Sequence, residues 1–600
     1  MSKRMVHHGR DLRACVGICL IGVLGALPAV ASEDIPERPT VETMPFSEVR
    51  PGMVGTVRTV FEGDKVEEFQ AKIVSVMRNY LGPDQDLILA RLQGEHVEFT
   101  GVVAGMSGSP VYIDGRLVGA LSYRLGSFMK EPIAGITPID DMLAVGREGE
   151  NGQARTGRLV RPAEDLSTDR ALQPIEAPLV AAGIPRSVLE ALAPDLERAG
   201  LSRAVAGAAW GGGAAGGATR GLEPGDPVAV ELIRGDISLG ATGTVTHVDG
   251  DRVYAFGHPV LTQGAIVFPM ARAQVYLTLP SLQASTKLGR ALDTVGTFTQ
   301  SRLPAMTGVM GAGPEMIPVS VRVKSAGAAA LTRRCEVVDH RQFTPLLVAL
   351  VTFSSLVNSP EHAGEMTMAL SGSATIKGHE AMKLDGLYTG FSVNNSAALA
   401  LARQIQSLFT ALYQNRFEMP RVESVDLEIT SVEKGNLGFV EGVFPSRTQL
   451  RPGERVDFRV LIHPYQAAAY TRTLSYEIPE GTSSGTMVAY VGGADQLARL
   501  ERNVFARQVT QMEDLDQLID LINQLRTSDK LYMKVTRRNT GAVVQNRILP
   551  ALPPSVVTTL GSNRATTGKV SPMAETTVYE EAIPLEHILA GGALIRLKIE

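Results

Sequence analysis

The sequence predicts a mainly β protein, with two β-rich lobes toward the N-terminal half and a C-terminal β-sandwich-like α+β region. Three observations lead there. Short apolar runs alternate with Gly, Asp and Pro turn signals over most of the chain. Glycine is abundant at 60 residues while aromatics make up only 5%, which favours strands and tight turns over a helical bundle. Helical spacing is confined to a few segments, such as SAALALARQIQSLFTALYQN and QMEDLDQLIDLINQLR.

Taken in order, residues 1–31 read as a signal peptide. Lys3, Arg4, Arg10 and Arg13 form a basic region, Ala14 to Leu27 is apolar, and Ala29-Val30-Ala31 fits a small-x-small cleavage site. Cleavage after Ala31 removes Cys15 and Cys19. Cys335 then stands alone, so the mature chain forms no internal disulfide. The expected location is periplasmic or secreted. No later run is apolar for long enough to span a bilayer, so no transmembrane segment is expected in the mature chain. A net charge of −5 argues against a nucleic-acid partner.

Residues 40–150 form a first β lobe, with strands at GMVGTVRTVF, FQAKIVSVM, DLILARL, GVVAGM, PVYI and LVGALSY. Asp114-Gly115 suits a two-residue hairpin turn between the last two. GITPIDDMLAV reads as a turn entering a short helix, with Thr137 or Asp140 available as its cap. Residues 151–225 are a linker with helical spacing at SVLEALAPDLERAG, followed by the Gly-rich stretch Ala206 to Asp226. Strands return over 226–345, an α+β extension occupies 346–425, and sandwich-like spacing with one helix runs from 426 to 600.

Chemistry concentrates at Gly105-Met106-Ser107-Gly108-Ser109-Pro110. Glycines on both sides of Ser107 permit positive φ and close approach of another backbone. Such a turn lifts a hydroxyl from the ladder and gathers N–H groups at one point, as acyl transfer requires. A base must then take the serine proton. His258, in TGTVTHVDGDRVYAFGHPV, is the first candidate and His96, read as a strand-edge residue in QGEHVEF, the second. No paired cysteines or His-Glu-x-x-His spacing indicate a metal, and no cofactor is expected. Lys287, in LQASTKLGR, offers a Ser-Lys alternative but reads as a solvated strand-edge residue.

GVVAGMSGSPVYIDGRLVGALSY resembles the nucleophile segment of trypsin-like double-barrel proteases. It is more similar to the SpoIVB-like serine peptidase family, whose Gly-Met-Ser-Gly-Ser-Pro motif carries the nucleophile. The resemblance maps that role to Ser107, and a family segment with a Gly-Thr-rich strand before a Gly-His step maps the base to His258. It implies a trypsin-like two-lobed β-barrel peptidase region. It covers roughly residues 45–150 and 220–325, but with the serine segment ahead of the histidine segment, the reverse of the family order. The family's PDZ-like module is not evident.

By the same analogy the N–H groups of Gly105 and Ser107 form the oxyanion hole. Asp86, at the start of DLILARL, resembles the strand start that carries the acid in trypsin-like enzymes; Glu95 and Asp249 are alternatives, as is a dyad without an acid. The function implied is an exported serine endopeptidase acting on protein or peptide substrates in the cell envelope. Its C-terminal region would be open to an envelope protein partner. The rival is a non-catalytic envelope scaffold that keeps the same turn.

Overall fold

The computed structural model describes residues 41–126, 130–148, 172–201, 204–206, 221–261, 264–325, 329–357, 365–390, 396–537 and 575–600, with short pieces between 541 and 573. The signal segment and most of the Gly-rich stretch lie outside these. Strands make up 52% of the described residues, more than twice the usual share, so the mainly β expectation holds.

The first lobe is a closed barrel of six strands: β1 (Val54–Val60), β2 (Val66–Gly82), β3 (Gln85–Gln93), β4 (Pro110–Ile113), β5 (Arg116–Leu125) and β6 (Ile133–Pro138). Pairing runs β1-β2-β3-β6-β5-β4, and β4 pairs back to β1. The sequence β4-β1-β2-β3 is a Greek key. Alternating Val57, Ala71, Ile73, Ile88, Ala90, Val111 and Ile136 fill the interior. Asp114 and Gly115 both have positive φ, 51° and 79°, as the expected primed hairpin turn requires.

Two local expectations differ. GVVAGM is not a strand; helix α1 (Glu95–Thr100) leads into an irregular loop whose ladder contact is one bridge from Ala104 to Thr286. GITP is strand β6 rather than a turn, and helix α2 (Ile139–Glu148) starts directly after it. Thr137 and Asp140 do not cap α2. Thr137 faces Ser122 and Gly257, and Asp140 accepts the Phe46 N–H at 3.1 Å.

A second ring lies within a fourteen-stranded sheet. It comprises β7 (Pro227–Gly235), β8 (Ser238–Asp249), β9 (Arg252–Ala255), β10 (Gly264–Leu279), β11 (Thr286–Arg302) and β12 (Ala305–Met310). Pairing runs β7-β8-β9-β12-β11-β10, and β10 pairs back to β7. This is the order of the first ring with every number raised by six.

The sheet continues through Ile317–Ser325 to Val422–Val432, a strand that crosses the boundary expected at residue 426. The buried helix Phe343–Val357 and the amphipathic helix Ala397–Tyr413 share the core of this sheet. Farther on, one four-stranded and one five-stranded sheet enclose a common core that includes Phe458, Ile462, Val491, Met533 and Leu597. QMEDLDQLIDLINQLR is not one helix: one helix ends at Gln511, and Asp514 caps the next, Leu515–Asn523. No described helix is long and apolar enough to cross a membrane.

Candidate active site

The serine sits on a tight turn. The Ser109 N–H donates to the Met106 carbonyl at 3.0 Å, and Gly108 has φ +94°. Met106 to Ser109 is therefore a turn with glycine at its third position, where a type II turn needs positive φ. Gly108 is also fixed by space: a methyl group there would lie 2.0 Å from Thr244 O and 2.5 Å from Phe256 N. Ser107, second in the turn, projects its side chain. The residue is fully buried, and its Oγ has no hydrogen-bond partner. A buried hydroxyl without a partner is uncommon in a native core and calls for an explanation; Ser238 and Ser354 share the condition.

The second ring holds this turn. Thr244 N–H donates to Ser107 O at 2.8 Å, Thr244 Oγ1 to Gly105 O at 3.1 Å, and Thr246 Oγ1 to Gly108 O at 2.7 Å. The threonines of ATGTVTHV thus satisfy three carbonyls of the knot.

His258 follows β9. Gly257 N–H closes on Ala255 O at 2.9 Å across Phe256, whose φ is +67°. That is a γ-turn of the rarer, strained hand, at a bulky aromatic residue. Burial of the Phe256 ring against Gly243 and Phe298 maintains it. The first ring holds this step in turn, since Thr137 Oγ1 donates to Gly257 O at 2.8 Å. His258 is buried. Its Nδ1 lies 2.9 Å from Pro259 O, and Nε2 makes no well-aligned hydrogen bond among the described residues. Burial lowers its pKa below the ordinary value, opposed by the carbonyls of Pro259 and Ile175. The imidazole is therefore neutral near pH 7 and able to accept a proton.

Ser107 stands between the third and fourth strands of its ring, and His258 between the third and fourth strands of its own. Both connections meet the same stretch of the first lobe. Gly108 N–H donates to Leu121 O, Ile175 N–H to Ser122 O and Gly105 N–H to Glu176 O, while a methyl on Gly257 would lie 2.9 Å from Ser122 Cβ.

The other sequence candidates lie elsewhere. Asp86 is the second residue of β3, beside the β2–β3 turn, where its Oδ1 accepts the Asn79 N–H at 2.8 Å. Glu95 is on α1 and Asp249 at the β8–β9 turn. Among the described residues no carboxylate is bonded to His258. His96 is on α1, not a strand edge; it is exposed and paired with Glu67 at 3.2 Å. Of the two expected oxyanion donors, Gly105 N–H is engaged by Glu176 O at 2.9 Å, whereas Ser107 N–H has no bonded acceptor among the described residues.

Lys287 departs most from its sequence reading. It is 3% exposed rather than solvated, and its stem packs 3.3 Å from where a Gly105 side chain would begin. Its Nζ donates to Thr59 Oγ1 at 2.8 Å, and Thr59 Oγ1 lies 3.0 Å from Ser109 Oγ. Burial lowers its pKa to about 7, with Glu67 acting in the opposite direction. The signal available in the sequence was weak: a lysine between Thr286 and Leu288 at a strand start reads the same whether its end is wet or dry.

A nearby cleft of about 150 Å³ is lined by residues including Phe99, Thr100, Arg124, Leu282 and Ser285. Ser107 and His258 do not line it.

Comparison with curated proteins and with solved structures returned no match. Residues 18–143 match the family model of the SpoIVB peptidase S55 domain, a stretch that includes Ser107 and Asp86 and ends before His258. Over residues 18–143 the chain is therefore similar to the SpoIVB peptidase S55 domain, a serine peptidase domain.

Proposed function

We propose that the chain is an exported serine endopeptidase that cleaves protein substrates of the cell envelope, with Ser107 as nucleophile and His258 as base. One observation carries this reading. Two buried, unpartnered atoms, Ser107 Oγ and His258 Nε2, lie on equivalent connections of two like rings, each secured by hydroxyls of the other ring. The shared strand order supports a trypsin-like two-lobed arrangement. It also suits the reversed order of the two segments: exchanging the residues between equivalent connections alters the chain order but not the type of connection that carries each, and only spatial geometry matters to the chemistry.

In the reaction, Ser107 Oγ attacks the peptide carbonyl and its proton passes to His258 Nε2. Ser107 N–H receives the developing oxyanion. His258 returns the proton to the leaving amine, and water then hydrolyses the acyl-serine by the same steps. The Pro259 carbonyl at Nδ1 favours the tautomer with hydrogen on Nδ1, which leaves Nε2 free to accept. This makes a dyad without a triad acid. Ser107 is closed off from solvent here, so substrate enters only after the covering chain moves.

Export rests on the basic-apolar-small pattern of residues 1–31. N-terminal sequencing of the secreted or periplasmic protein should begin at Ser32. For the C-terminal region, the outer strand Tyr470–Glu477 supports partner binding by strand addition, having a single paired neighbour among the described residues.

The test is labelling of the purified mature protein with a fluorophosphonate probe. Wild type should label, and Ser107→Ala and His258→Ala should not, with circular dichroism unchanged. The sealed Ser107 hydroxyl favours one second reading, a scaffold that retains the fold without activity. In that case the folded wild type fails to label and cleaves no protein substrate.

A further inference from the structure

The chain of groups that ends on Lys287 has no part in the proton transfers above, yet it terminates on the nucleophile's own peptide unit. Ser109 Oγ carries one proton and lies 2.7 Å from Met106 O, which can only accept. That proton is shared between the carbonyl and Thr59 Oγ1, to which Ser109 Oγ also donates at 3.0 Å, and Thr59 Oγ1 accepts from Lys287 Nζ at 2.8 Å. Thr59 Oγ1 thus gathers the amine and the Ser109 hydroxyl, and the Ser109 hydroxyl bridges it to the Met106 carbonyl. Ser109 N–H makes a second bond to the same oxygen at 3.0 Å, so both of its lone pairs are occupied.

The Met106 carbonyl and the Ser107 N–H belong to one planar trans peptide and point in opposite directions. Donors converging on the oxygen fix the plane and polarise the amide, which strengthens the N–H on the far side. That N–H has no bonded acceptor among the described residues. All three side chains of the relay are buried. A buried amine carries a heavy desolvation penalty, and a structural turn has no need of one.

We propose that Lys287, through Thr59 and Ser109, is a positioning residue that holds and polarises the Met106–Ser107 peptide so that the Ser107 N–H serves as the oxyanion donor. This rests on the peptidase reading. It assigns Ser109 a task distinct from nucleophilic attack. It also explains why the second ring supplies Lys287 at β11: Lys287 N–H donates to Ala104 O at 3.0 Å, so the strand that brings the amine is pinned to the chain leading into the knot.

The test compares Thr59→Val with Thr59→Ser in the full mature chain. Valine keeps the shape and removes the hydroxyl; serine keeps the hydroxyl. Second-order labelling by fluorophosphonate should fall at least about tenfold in Thr59→Val and Ser109→Ala, since direct loss of an oxyanion donor costs roughly 10² to 10³. Thr59→Ser should retain the wild-type rate within about threefold. The double variant Thr59→Val/Ser109→Ala should be no slower than the slower single variant, because the two act in series. Probe affinity should hold while the maximal rate falls.

Wild-type rates in both Thr59→Val and Ser109→Ala would overturn the relay while leaving Ser107 and His258 as assigned. Equal losses in Thr59→Ser and Thr59→Val would also overturn it, showing that shape rather than the hydroxyl matters. A folded wild type that does not label would overturn the peptidase reading and the relay with it.

Discussion

Replacing Lys287 with methionine should make the protein more stable, by an amount that depends on pH. In an unfolded chain this amine titrates near 10.5; in the folded protein burial brings it down to about 7, against the opposing pull of Glu67. Each pH unit between those values corresponds to 1.36 kcal/mol, so the full difference is about 5 kcal/mol. Between pH 7 and 10.5 the unfolded chain holds a proton that the native state has released. Wild-type stability therefore rises with pH through this window. Below pH 7 both states are protonated, and the native state bears the whole cost of a buried ammonium.

Methionine fills a similar volume without charge. It forfeits one hydrogen bond to Thr59, worth about 1 kcal/mol. Lys287→Met should thus exceed wild type by about 3 to 4 kcal/mol at pH 6.5, and the two should converge by pH 10. The assay is urea denaturation of both proteins from pH 6.5 to 10, followed by far-ultraviolet circular dichroism. Other titrating groups are common to both, so the difference isolates Lys287. A stability gap constant to within about 1 kcal/mol would refute the reasoning, because it would mean that the amine keeps its ordinary pKa. Stability gained together with labelling lost is the pattern expected of a residue retained for function.

Other consequences can be checked independently. Gly108→Ala puts a methyl 2.0 Å from Thr244 O at a residue with φ +94°, and should destabilise by at least about 2 kcal/mol, read as a lowered thermal midpoint. Asp141, half-buried beside Asp86, Asp140 and Asp84, is pushed up to about 6, chiefly by desolvation. Its native proton persists where the unfolded chain has lost its own, so stability falls as pH rises from 3.8 to about 6. Asp141→Asn should gain about 1 kcal/mol at pH 7, after discounting for solvent screening, and nothing at pH 4. Because burial lowers the His258 pKa, the acid limb of the labelling rate should have its midpoint below 6.5; a midpoint above 6.5 would contradict a neutral buried base.

The strands of both rings, the Asp114-Gly115 hairpin and the helix Ala397–Tyr413 follow from alternation, turn chemistry and 3.6-residue spacing, all of which are local. The turns that carry Ser107 and His258 were legible because glycine-flanked polar residues between apolar strands are locally odd. Ring closure was not, because it depends on pairs such as Val57 with Val111 and Val228 with Arg272, far apart in sequence. The left-handed Phe256 was hidden for a related reason: nothing local favours an aromatic there, and only its packing against Gly243 and Phe298 sustains it. Thr244 and Thr246 read as ordinary pleated-sheet residues, yet they bind the knot. The expected Gly105 donor failed because its N–H had a partner, Glu176 O, beyond the next linker. The acid expected at Asp86 was displaced by a turn that uses the same carboxylate to bind Asn79.

The mutual holding of the two connections has a consequence for the growing chain. When the first ring has been made and the second has not, the carbonyls of Gly105, Ser107 and Gly108 lack Thr244 and Thr246, and Ser109 lacks the amine behind Thr59. On the proposed assignment the serine then has neither a seated loop nor a base. Reactivity would thus belong to the finished molecule, arising only with the arrival of residues 244 to 287, and a half-synthesised chain would not attack its neighbours.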